Sequence, residues 1–108
     1  MNVLQEESFH EDNRRSITQL FTADTKQVNV YQAKKGATLG NHYHKETTEY
    51  FYIVRGTVIY NTERIFSTGD IFVVHPQEVH TLKCITDTKF MTFLTKAYSE
   101  GDKDQWKS

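Results

Sequence analysis

The sequence predicts an all-β fold, a sandwich or barrel of antiparallel strands, and three observations carry the prediction. β-Branched and aromatic residues gather in short runs. Gly, Asn, Asp and Thr punctuate those runs at regular spacing. The chain has one proline, Pro76, just after an apolar run where its missing N–H costs no ladder bond.

Taken in order, residues 1–16 are polar and read as an N-terminal arm. The strand signals then run Ile17–Phe21, Val28–Ala33, Glu49–Val54, Val58–Asn61, Ile71–Val74, His80–Ile85 and Phe90–Thr95. Loop markers lie between them at Lys34-Lys35-Gly36, Leu39-Gly40-Asn41, Arg55-Gly56 and Ser67-Thr68-Gly69-Asp70. Residues 17–97 are therefore expected to form one barrel, and residues 98–108 a polar tail whose Trp106 docks back on it.

The chain has 108 residues, room for one core, with 37% hydrophobic and 13% aromatic residues, too rich in both for a disordered segment. Its formal charge is −1, and the charges are interspersed. No nucleic-acid footprint or polybasic membrane patch is present. No apolar run is long enough to span a bilayer, and Met1 to Asn13 lacks a signal-peptide core, so cytoplasmic residence is the expectation. Cys84 is the only cysteine and can form no internal disulfide. A barrel this small leaves apolar surface to cover, and a homodimer is expected.

Chemistry concentrates in four residues. Side chains two apart on a strand share a face, so His42 and His44 point the same way, about 7 Å apart, with Tyr43 turned away. Glu49 opens the next apolar run, and His80 opens a later one whose Leu82 and Cys84 share its face. Each residue alone is ordinary: His-x-His pairs are mostly exposed or hydrogen-bonded, and a Glu or His at a strand end is usually a satisfied polar group. Together they supply neutral nitrogen donors and one anionic oxygen, a set suited to Fe, Mn, Ni or Zn.

The spacing of these residues relative to the glycines resembles the cupin family. Gly36, His42, His44, Glu49 and Gly56 stand at the spacing of its first motif. The second motif keeps Gly69 and His80 but has His75 at its proline position, Gln77 at its glycine and Cys84 at its asparagine; Pro76 follows one residue late. The resemblance covers about Val28 to Leu94. It implies a double-stranded β-helix (jelly-roll) cupin barrel with one divalent metal ion on His42, His44, Glu49 and His80. Phe9 to Arg15 resembles the opening of cupins from nucleotide-sugar pathways, with Arg15 where a glycine is usual. Gly40-Asn41-His42-Tyr43-His44 is similar to the C-terminal cupin of capsular-polysaccharide epimerase/reductases.

The expected function is metal-assisted chemistry on a small-molecule substrate. Isomerisation or epimerisation of a nucleotide-linked keto-sugar is slightly favoured by the likeness. Two alternatives stand beside it: a non-haem iron dioxygenase, and a non-catalytic module in which the metal is structural or the pocket senses a sugar. His75 is the candidate acid or base, because an imidazole titrates near neutrality; a solvated loop histidine is the competing reading. Cys84 shares parity with His80 and either lines the pocket or packs as a small apolar residue.

Overall fold

Strand alternation lays out the whole molecule. The structure, a computed structural model, describes residues 1–107 apart from the side chain of Phe9. Ser108, the end of the expected tail, lies outside the described residues. Twelve strands follow in chain order: β1 (Asn2–Leu4), β2 (Glu7–Glu11), β3 (Ser16–Gln19), β4 (Gln27–Ala33), β5 (Thr38–Tyr43), β6 (Glu49–Arg55), β7 (Thr57–Tyr60), β8 (Arg64–Ser67), β9 (Ile71–Val74), β10 (His80–Cys84), β11 (Thr88–Leu94) and β12 (Trp106–Lys107). One five-stranded sheet has the order β1-β9-β6-β11-β4 and the other β12-β5-β10-β7-β8; β2 and β3 pair as a separate hairpin. Every ladder is antiparallel. Among the described residues no helix is long and apolar enough to cross a membrane.

The two large sheets bury their facing sides against each other. On β6, Glu49, Phe51 and Ile53 are buried while Tyr50 and Tyr52 are half-buried on the other face. On β10, His80, Leu82 and Cys84 are buried in the same alternation. Phe72 stacks on Phe66 at 4.2 Å and on Phe51 at 4.7 Å between ring centroids, and is wholly buried. Burying such a ring stabilises the fold by about 1.5–3 kcal/mol. Strands of alternating character thus leave an apolar interior for most of their length and reserve one polar position near an end.

Several elements differ from the sequence expectation. The first expected strand, Ile17–Phe21, falls at Ser16–Gln19 and pairs with β2 outside the two large sheets. Asn2–Leu4, within the segment expected as an arm, is the edge strand beside β9. Leu39-Gly40-Asn41, expected as a loop, lies inside β5, because Gly40 and Asn41 adopt positive φ (94° and 66°) within a strand rather than ending it. Arg64–Ser67 forms β8, although only Ile65 and Phe66 there resemble strand residues.

Candidate metal centre

The antiparallel register of β5 and β10 brings the first two imidazoles together. His42 lies directly opposite His80, with ring centroids 4.5 Å apart. His44 follows just past the end of β5, its ring 5.0 Å from His42 and 5.5 Å from His80. Close approach here depends on Gly40: a Cβ at that position would stand 2.8 Å from the His80 carbonyl oxygen. The ladder also shifts register between His80 and Thr81, which re-aims His80 at the strand end. Glu49 arrives from the opposite sheet, at the start of β6. One sheet therefore contributes three nitrogens and the other a carboxylate, and one ligand atom from each of the four residues lies within 4.8 Å of the others.

Hydrogen bonds orient these side chains. His44 Nδ1 donates to the Asp104 carbonyl oxygen at 2.6 Å, and His80 Nδ1 donates to the Glu78 carbonyl oxygen at 3.2 Å. A carbonyl only accepts, so each ring carries its proton on Nδ1 and turns Nε2 toward the centre. Both Nε2 atoms then face Glu49 Oε1, at 3.3 and 3.4 Å. In neutral rings these are lone pairs aimed at a carboxylate oxygen, an arrangement that calls for a positive charge between them. A proton on one ring or a cation at the centre would each supply it.

The titration behaviour has the same origin. Burial pushes the His42 imidazole down to about 4, helped by the neighbouring His80 and His44, so it stays neutral at pH 7. Burial alone would lower His44 too, but the hydrogen bond and charge of Glu49, with the Asp104 carbonyl, outweigh it and raise its pKa. For Glu49 burial opposes ionisation, yet His44 and His80, which in their protonated forms donate to its Oε1 and lend it their charge, pull its carboxyl down to about 2.

His42, Glu49 and His80 face a cavity of about 70 Å³; His44 is buried behind them. Leu39, Phe51, Leu82 and Phe90 make its apolar wall, and Tyr31 and Thr92 add hydroxyls. Tyr31 is 39% exposed and stacks on Phe90 at 4.7 Å. The Thr92 hydroxyl is buried beside that of Tyr31, without a well-formed hydrogen bond among the described residues.

His75 lies elsewhere, exposed in the turn after β9, with Nε2 against the Asn2 side-chain oxygen at 2.5 Å; it does not line this cavity. Cys84 is fully buried in the apolar core and also absent from the cavity wall, its thiol pKa raised by burial. Trp106 does return to the sheet, opposite Tyr43, with Lys45 Nζ 4.0 Å above its ring. Sequence reasoning did not single out Asp104. No local pattern marks it, since its partners are some sixty residues away.

Facing antiparallel sheets with three imidazoles and one carboxylate between them define the class, a cupin jelly roll. The chain belongs to the polysaccharide biosynthesis C-terminal domain family, whose profile matches residues 10–91. It is 31% identical over 81 residues to a UDP-2-acetamido-2,6-beta-L-arabino-hexul-4-ose reductase of Pseudomonas aeruginosa, a match covering 68% of this chain and 22% of the relative. The chain thus spans less than a quarter of that relative's length. Among solved structures it is similar to CapF, a capsular polysaccharide assembling protein of Staphylococcus aureus. That match has a TM-score of 0.66 at 23% identity, over 96% of this chain and 34% of that one. It is also similar to QdtA, a sugar 3,4-ketoisomerase of Thermoanaerobacterium thermosaccharolyticum solved with TDP, with a TM-score of 0.76 at 16% identity, over 99% and 87% of the two chains.

Proposed function

We propose that His42, His44, Glu49 and His80 hold one divalent metal ion, of iron, manganese, nickel or zinc. We further propose that the chain moves a proton next to the carbonyl of a nucleotide-linked keto-sugar. The observation that carries the metal is the convergence of four ligand atoms within 4.8 Å, with two rings turned Nε2-inward by carbonyl acceptors. The substrate class is supported by the family and by the reactions named for its relatives. When bound, the ion supplies Lewis-acid polarisation of an oxygen. The chain's own groups exclude water and orient the substrate. The wall of Leu39, Phe51, Leu82 and Phe90 excludes water from one side of the ligand. Tyr31, its pKa raised by burial and by the charge of Glu49, keeps its phenolic proton and offers a donor to a substrate oxygen. We propose no part for His75, which stands outside the cavity wall.

A second reading draws on the raised pKa of His44 and its hydrogen bond to Glu49. A proton, rather than a metal, would supply the positive charge, and the pair would act as an acid–base dyad. Elemental analysis of protein purified without chelator or affinity tag separates the two. About one ion per chain is expected for the wild type, with most of it lost in Glu49→Ala and His80→Ala. Full metal in both variants would reject the ligand set, and a metal-free wild type that still turns over would favour the dyad. Incubation with a nucleotide-linked 4-keto sugar in D2O should place deuterium next to the carbonyl, read by NMR. Product formation that requires oxygen would instead identify a dioxygenase. The exposed Val28 and Val30 on the edge strand β4 are consistent with the expected homodimer, and sedimentation tests it.

A further inference from the structure

The C-terminal segment is exposed on both sides of Asp104, yet Asp104 itself is 6% exposed. Its backbone adopts φ 47°, a left-handed conformation that Asp tolerates better than most residues. In that conformation one residue reaches two targets. Its carboxylate accepts from the backbone N–H of Lys45 at 2.9 Å, of Glu46 at 3.0 Å and of Thr47 at 2.8 Å, and from the Thr47 hydroxyl at 2.7 Å. Its carbonyl oxygen accepts from His44 Nδ1 at 2.6 Å. The segment between His44 and Glu49 is thus tied down by a residue at the far end of the chain. Two residues on, β12 extends the sheet beside the histidine strand, with Trp106 opposite Tyr43 and Lys107 opposite His42.

From this geometry we propose that Asp104 is a positioning residue for the centre. It is a latch supplied by the C-terminal segment that sets the Nδ1–H form of His44 and the aim of its Nε2. The four carboxylate contacts hold residue 104 where its carbonyl meets the ring. Without them the carbonyl is free to move, and His44 loses the acceptor that selects its tautomer. The consequence for metal binding rests on the proposed ligand set; the consequence for the ring does not.

Two variants test this in the full-length protein. Asp104→Gly keeps the left-handed backbone and removes the carboxylate. Asp104→Asn keeps one oxygen but presents an amide NH2 to donors. Ring nitrogen-15 NMR of the metal-free protein reports the tautomer of each histidine, and titration with Co2+ alone reports affinity. In the wild type both His44 and His80 should show Nδ1 protonated. In the variants His44 should shift to mixed tautomers while His80, held by Glu78, keeps its pattern, and Co2+ should bind roughly 10- to 100-fold more weakly. An unchanged His44 signature in a folded variant would overturn the latch, as would loss of both histidine signatures together, which marks general loosening. If Asp104→Gly fails to fold, Asp104→Asn carries the same readout. A wild type that binds no Co2+ would sink the metal reading, and the nitrogen-15 spectra would still decide the role of Asp104.

Discussion

The interior of this barrel has two unlike ends made from the same strands. On β6 the inward positions run Glu49, Phe51, Ile53, and on β10 they run His80, Leu82, Cys84. In each case the first inward residue belongs to the polar centre and the next two to the apolar core. At the core end the interior is filled by stacked phenylalanines, and Cys84 and Ile53 have no exposed surface. At the other end it holds a carboxylate, three imidazoles and a cavity. The comparison teaches a division of labour. Apolar close packing stabilises the barrel, so the far end can keep groups whose burial is costly without a positive charge among them.

The largest effect expected from breaking this division is at the packed end. Phe72→Ala removes a ring that touches Phe51 and Phe66, and should cost about 3–5 kcal/mol in chemical unfolding. A loss below about 1 kcal/mol would show that the stack is not the main support. At the polar end the ion itself should be the stabiliser. Zn2+ at a hundred times its dissociation constant should add about 2.7 kcal/mol to the wild type and nothing to Glu49→Ala, seen as a shift in melting temperature.

Acid should act on the polar end before the core. His42 is held near 4 against an ordinary 6.5, and Glu49 near 2 against an ordinary 4.5. Both pKa values are depressed on folding, so the unfolded chain takes up these protons first, and stability falls with falling pH. The His42 contribution is complete above about 6.5 and is lost on the way down to about 4. The Glu49 contribution is complete above 4.5 and is lost as pH falls to about 2. His44, raised instead, contributes below its ordinary 6.5 and loses that contribution as pH rises. Metal-free unfolding curves should therefore weaken from pH 6.5 downward by less than about 1.4 kcal/mol per pH unit for each group. Replacing Glu49 with Gln should flatten the part below 4.5. A flat profile over the whole range would remove the electrostatic account.

The smallest effect belongs to the boundary between the ends. Thr92 is fully buried, and its hydroxyl has only a weak contact with that of Tyr31 among the described residues. Thr92→Val should leave the apo-protein unchanged or up to about 1 kcal/mol more stable, because a buried unsatisfied hydroxyl is removed at constant shape. A clear loss of stability would reveal a partner for it.

Strand positions were legible where β-branched or aromatic residues gather, with period-two alternation on β6, β7, β10 and β11 and as a continuous apolar run on β9. They were not legible at Asn2–Leu4 or Arg64–Ser67, short segments that become strands because a neighbouring edge offers hydrogen bonds. At Gly40-Asn41 turn chemistry is used inside a strand, and sequence punctuation points the wrong way.

The amino-acid order alone determined the candidate donors, since His42, His44 and Glu49 sit within one local pattern and His80 repeats the inward phase of its own strand. It also determined which face of β6 and β10 turns inward, because alternation is a property of the backbone. Only the tertiary structure decided that His80 lies opposite His42, that Glu49 comes from the facing sheet, and that Asp104 holds the ring of His44. Those facts depend on sheet order and register, set by contacts between residues far apart in the chain. No short-range spacing encodes them.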